Sequence, residues 1–159
     1  MLSIIHTHSN FATAFAATLA PIPLCLTAIA DEFGGQIPCT PYIDNIGDHI
    51  GEAILAHRTQ APAILLGNHG VFAWGPSPKA ALKAAVMTED CAKTVHLAMQ
   101  IGPVSMISNE EAAKWHTRYH TTYGQAAAGK QSAALRVIQR DGQPSPNTNR
   151  GKRDHQEAA

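Results

Sequence analysis

Two periods of apolar residues run along this chain, and the switches between them mark its elements. Ser3-Ile4-Ile5 is short, apolar and β-branched, and reads as the end of a strand leading into His6-Thr7-His8. Phe11, Phe15 and Leu19 recur at i, i+4 and i+8, which predicts a helix capped by Asn10 and stopped by Pro21. Leu24 to Ala30 is an apolar run of strand length, and Asp31-Glu32-Phe33-Gly34-Gly35 follows as a turn with two carboxylates. Gln36 to Thr40 is predicted to be extended, because a residue before proline avoids the helical region. Asp44 to Gly47 is turn-like, and Asp48 is expected to cap a helix through about Arg58, with Ile50, Ala53, Ile54 and His57 on one face. Ala63–Asn68 and Val71–Trp74 read as two strands bent at His69-Gly70. Ser77-Pro78 opens a long helix to about Gln100, whose inner face is Ala81, Ala84, Ala85, Thr88, Cys91, Ala92, Val95 and Met99. Ser108 and Glu111 have capping-box spacing and start a last helix toward His120.

The chain has 159 residues, enough for one domain with a real core. Its net charge is zero, so nothing global points to nucleic acid or an anionic membrane. The charge is unevenly spread. Residues 126–159 hold six Lys/Arg against three Asp/Glu, and residues 1–125 hold six against nine. This places a boundary after Gln125, with residues 126–159 expected to be a disordered basic tail. Cys25, Cys39 and Cys91 have no CxxC spacing and read as thiols of a reducing, cytoplasmic compartment. Pro21 and Pro23 interrupt the apolar stretch from Phe11 to Ala30, which argues against a membrane helix.

The candidate chemistry lies in the histidines. Side chains alternate along a strand, so His6 and His8 share a face and form a chelating pair for a divalent metal. His69, at the end of the second apolar run, is the best candidate for a third ligand. The competing reading is three ordinary strand-end histidines with hydrogen-bonded rings. His49, His57, His96, His116 and His120 read as helix-face residues.

The stretches HTHSNFATAFA, ADEFGGQIPCT, NHGVFAWG and YGQ together resemble L-ribulose-5-phosphate 4-epimerases of the class II aldolase/epimerase superfamily. The resemblance covers about residues 3–125. It implies a three-layer α/β/α sandwich around a largely antiparallel sheet. It makes His6, His8 and His69 ligands of a divalent metal, Zn²⁺ or Mn²⁺, and makes Asp31 and Tyr123 the two acid/bases. It also implies a sugar-phosphate substrate and a homotetramer in which the tyrosine serves a neighbouring subunit.

The chemistry so implied is a retro-aldol cleavage of the C3–C4 bond, rotation of the aldehyde fragment and re-formation of the bond. Each face of the aldehyde then needs its own proton donor, which suits a pair such as Asp31 and Tyr123. Without the resemblance, Asp31 reads as a solvated turn carboxylate and Tyr123 as an amphipathic helix end. The family's N-terminal part, with its phosphate-holding loops, has no counterpart here, so the chain is expected to be truncated and impaired. Two further readings compete: a sugar-phosphate aldolase of the same superfamily, and a non-catalytic chain.

Overall fold

The computed structural model describes residues 2–123, so the expected tail lies outside the described residues. In chain order the elements are β1 (Ser3–Thr7), α1 (Asn10–Ala17), α2 (Thr27–Phe33), β2 (Cys39–Tyr42) and α3 (His49–His57). They continue with β3 (Ala63–Gly67), β4 (Gly70–Gly75), α4 (Pro78–Ile101) and α5 (Asn109–Thr121). The strands form one sheet in the order β1-β4-β3-β2. β4 is antiparallel to both β1 and β3, and β2 runs parallel to β3.

Register decides which residues face the core. Ile5 pairs with Ala73, and Ala73 with Ala63, so these three share one face of the sheet. Leu65 and Val71 lie on that face too, and they join the main core with Ala12, Phe15 and Ala16 of α1 and Ala84, Ala92 and Val95 of α4. The other face carries Ile4, His6, Phe72, Trp74, Ile64 and Leu66. There α3 lies against β2 and β3, and Ile64 and Leu66 are fully buried. Helices thus cover both faces at the β3 side, giving three layers. At the β1 edge the second face is open: Ile4 is 62% exposed.

Most of the expected elements form, with four corrections. The apolar run at Leu24–Ala30 is not a strand. Thr27–Phe33 is helical and buries Ile29, Ala30 and Phe33, and Gly34 ends it in the left-handed region at φ 67°. A seven-residue apolar run fits either element by pattern alone. Consequently Asp31 and Glu32 belong to a helix, not a turn, and Glu32 is 4% exposed.

Helix α1 begins at Asn10 rather than being capped by it, and its N-cap Ser9 makes no side-chain capping bond. Asp48 precedes α3 without capping it through its side chain, and only Ala53 of the expected face is buried. On α4 the expected inner face is buried from Ala81 to Val95, but Met99 is 44% exposed because the helix runs on past the core. Ser108 does cap α5, its Oγ accepting from the Glu111 N–H at 3.2 Å.

Candidate metal centre

β1 is an edge strand, and His6 and His8 follow each other on its open face as the period of two requires. His69 arrives from the turn between β3 and β4. That turn is closed by the His69 N–H donating to the Leu66 carbonyl at 3.0 Å, with Asn68 in the left-handed region at φ 58°. Asparagine tolerates that region better than most residues with a Cβ. Because β4 pairs with β1, the turn delivers His69 beside the other two rings. Ring centroids of His6 and His69 are 4.9 Å apart, and those of His8 and His69 are 5.1 Å apart.

The donor atoms converge. One nitrogen from each of His6, His8 and His69 can be chosen so that all lie within 4.8 Å of one another. His6 Nδ1–H donates to the Val71 carbonyl at 2.9 Å, which leaves the lone pair on Nε2. That nitrogen is 3.0 Å from Nε2 of His8. Two nitrogens each about 2.0–2.1 Å from one Zn²⁺ lie roughly 3 Å apart, so this spacing fits a shared ion. Desolvation, and then the nearby His6 and His8, hold the His69 imidazole below its ordinary pKa and favour the neutral form that binds metal.

Two neighbours shape the cluster. The Phe72 ring lies under His6, with centroids 4.5 Å apart and planes tilted by 30°. Gly70 leaves the space for the rings. A Cβ there would stand 2.6 Å from His8 Cδ2, 2.6 Å from the Thr7 carbonyl oxygen and 3.4 Å from His6 Cε1. A site made of imidazole nitrogens, with the His6 ring oriented by the Val71 carbonyl and room kept by a glycine, suits a borderline-soft divalent ion.

Asp31 is not among the donors grouped with this cluster, and Tyr123 follows α5, which packs on α2. Among the described residues the grouped donors are the three histidines alone. Asp31 lies in α2, which packs on α5 and α4, and its carbonyl accepts from His116 Nδ1–H at 2.9 Å. Tyr123 follows α5 and is 57% exposed, with the Arg118 guanidinium 5.1 Å from its ring centroid and the Tyr119 ring 5.6 Å away. His116, expected as a helix-face residue, thus also caps the end of α2, where carbonyls lack helical donors.

The comparisons with known proteins agree with this architecture. Residues 1–96 match the family described as Class II Aldolase and Adducin N-terminal domain. The chain belongs to that family. Among solved structures, an L-fuculose 1-phosphate aldolase is 26% identical with a TM-score of 0.65, over 74% of this chain and 55% of the aldolase. YgbL from Klebsiella pneumoniae is 28% identical with a TM-score of 0.54, over 70% of this chain and 56% of YgbL. An L-fuculose 1-phosphate aldolase from Glaciozyma antarctica PI12, 24% identical with a TM-score of 0.57 over 86% of this chain and 51% of its own, shares the fold. The chain spans little more than half the length of these proteins. The fold is the class II aldolase fold, a mixed α/β arrangement of four strands and five helices. No described helix is long and apolar enough to cross a membrane.

Residues that the sequence did not single out also shape the site. Gly70 could be suspected from its place after His69, but Glu89 acts on α1 across a long sequence separation and leaves no local pattern.

Proposed function

We propose that this chain carries the metal centre of a class II enzyme that makes and breaks a carbon–carbon bond in a sugar phosphate. The convergence of His6, His8 and His69 is the observation that carries the reading. A divalent ion held there, Zn²⁺ or Mn²⁺, would supply Lewis-acid stabilisation of negative charge on substrate oxygen. Three neutral imidazoles leave the ion its full charge, and the open face at Ile4 and His6 admits a substrate.

The finer reading is a 4-epimerase that interconverts L-ribulose 5-phosphate and D-xylulose 5-phosphate. In it, the Asp31 carboxylate and the Tyr123 phenol exchange protons with the C4 oxygen, one on each face of the aldehyde fragment. Neither residue lies in elements packed beside the histidines, so both would act at the metal centre of a neighbouring copy, in a homo-oligomer built as a tetramer. The second reading is an aldolase, favoured by the likeness to L-fuculose 1-phosphate aldolase.

The test is turnover of L-ribulose 5-phosphate and of L-fuculose 1-phosphate by the Zn²⁺- or Mn²⁺-loaded chain. Epimerisation lost in His69→Ala and reduced in Asp31→Asn supports the first reading. Aldol cleavage without epimerisation supports the second. Turnover that persists after chelation and in His69→Ala would rule out both.

A further inference from the structure

Helix α1 connects the two segments that carry the histidines. It begins two residues after His8, and the residue before His69 is bound to its last turn. Both ligands need such support. The β1–β4 ladder ends at the pair Thr7–Val71, so His8 lies one residue beyond it, and His69 lies in a turn.

The first support comes from α4. The Phe11 N–H donates to Glu89 Oε1 at 3.0 Å, and the Ala12 N–H donates to Glu89 Oε2 at 2.9 Å. These are two of the orphan donors of the α1 N-terminus, and no side chain of Ser9 takes either. A carboxylate is favoured there by the positive end of the helix, and both bonds are charge-assisted. The second support is at the other end. The Asn68 N–H donates to the Ala16 carbonyl at 2.9 Å, and its Nδ2 donates to the Ala17 carbonyl at 3.3 Å.

We infer that Glu89 and Asn68 are positioning residues that use α1 as a strut, Glu89 fixing His8 at one end and Asn68 fixing His69 at the other. Neither touches the ion. The inference rests on the reading of the three histidines as metal ligands. Eight helical residues span about 12 Å, and a helix that short has little stability of its own, so its ends must be held from outside. Glu89 does this from α4, the longest element and one packed on both β4 and β1. The strut therefore ties His8 to the same body that supports the sheet beneath it.

The experiment measures Zn²⁺ affinity by competition with a chromophoric chelator, and the visible spectrum of the Co²⁺-loaded chain, for the full 159-residue protein and its variants. Glu89→Gln keeps the shape but faces one N–H with an amide donor. It is expected to weaken Zn²⁺ binding tenfold or more, in the range typical of groups that support a ligand, and to change the Co²⁺ bands. Asp90→Asn removes the same charge from the next, exposed position and is expected to change neither. Asn68→Gly keeps the left-handed turn but loses the Nδ2 bond, and is expected to weaken binding severalfold with the fold intact. A merely structural role would lower the melting temperature and leave the Co²⁺ spectrum of the folded protein unchanged. Parental affinity and spectrum in Glu89→Gln would overturn the strut; should that variant not fold, parental values in Asn68→Gly would do so. A parent chain that binds no Co²⁺ through its histidines, or a His69→Ala variant with an unaltered spectrum, would sink the metal reading and the strut with it.

Discussion

The Lys83 ammonium of α4 lies against the buried Glu32 carboxylate of α2, and 4.8 Å from the Tyr119 ring centroid on α5. Glu32 is 4% exposed, so its carboxylate depends on Lys83 for its partner. Burial works against the Lys83 charge, but contact with Glu32 and Tyr119 outweighs it and raises the lysine pKa. One cation thus joins three helices. Lys83→Met would strand a carboxylate in the interior. We expect a loss of about 2–3 kcal/mol, below the full cost of breaking a buried pair because Lys83 keeps 43% of its side chain exposed. Glu32→Leu with Lys83→Met should recover most of it, since an apolar pair needs no partner charge. Denaturant melts of the parent, the single and the double variant check this, and a double variant no better than Lys83→Met would contradict it.

Gly70→Ala tests the geometry of the metal centre directly. The added methyl would stand 2.6 Å from both a ring carbon of His8 and the Thr7 carbonyl oxygen. The carbonyl belongs to the β1–β4 ladder and gives way only with the strand, so the His8 ring must move. Zn²⁺ affinity should fall by at least tenfold, with a stability cost of about 1–3 kcal/mol from overpacking. Titration with Zn²⁺ at a temperature where the variant is folded measures the first, and a thermal melt the second.

The grouping of the three histidines was legible in the sequence, and so were most of the elements. His6 and His8 share a face because a strand has a period of two, and that much follows from spacing. The long helix was legible because its alanines recur over many turns. Helix α2 was not, since its apolar residues Ala28, Ile29, Ala30 and Phe33 fall within seven positions, too short a stretch to show a period. Nor was the cap of α1: Glu89 lies 78 residues from Phe11, and only the packing of α4 on α1 brings them together. Asn10, the cap expected from the sequence, is instead the first residue of the helix.

The thiols give a prediction in pH. Burial, the largest cause, and then the charge of Asp90 push Cys91 up to about 12, and burial raises Cys25 and Cys39 as well. The reactive species is the thiolate, so Cys91 should resist iodoacetamide at pH 8–9 in the folded chain and react on unfolding. The folded state holds the Cys91 proton to higher pH than the unfolded chain, whose thiol ionises near about 8.5. Stability should therefore decline as pH rises from about 8.5 toward 12, and Cys91→Ala should flatten that decline. Rapid alkylation of Cys91 in the native protein at pH 8 would count against the burial.

The separation of Asp31 and Tyr123 from the histidines leads to a prediction about assembly. If the acid/bases serve a neighbouring copy, each working centre combines His69 of one subunit with Asp31 of another. As pure oligomers, His69→Ala chains should then be inactive and Asp31→Asn chains reduced roughly 10²–10⁴-fold, the usual worth of a placed acid/base. Mixed one to one and allowed to exchange subunits, they should regain about a quarter of parental turnover, because chance pairing joins an intact His69 to an intact Asp31 in that share of interfaces. Tyr123→Phe should complement His69→Ala in the same way. It should not complement Asp31→Asn if one subunit supplies both acid/bases to the same centre. No recovery in any mixture that demonstrably exchanges subunits would mean that the two residues act within their own chain, or not at all. Recovery between Asp31→Asn and Tyr123→Phe would instead show that different subunits supply the two proton carriers.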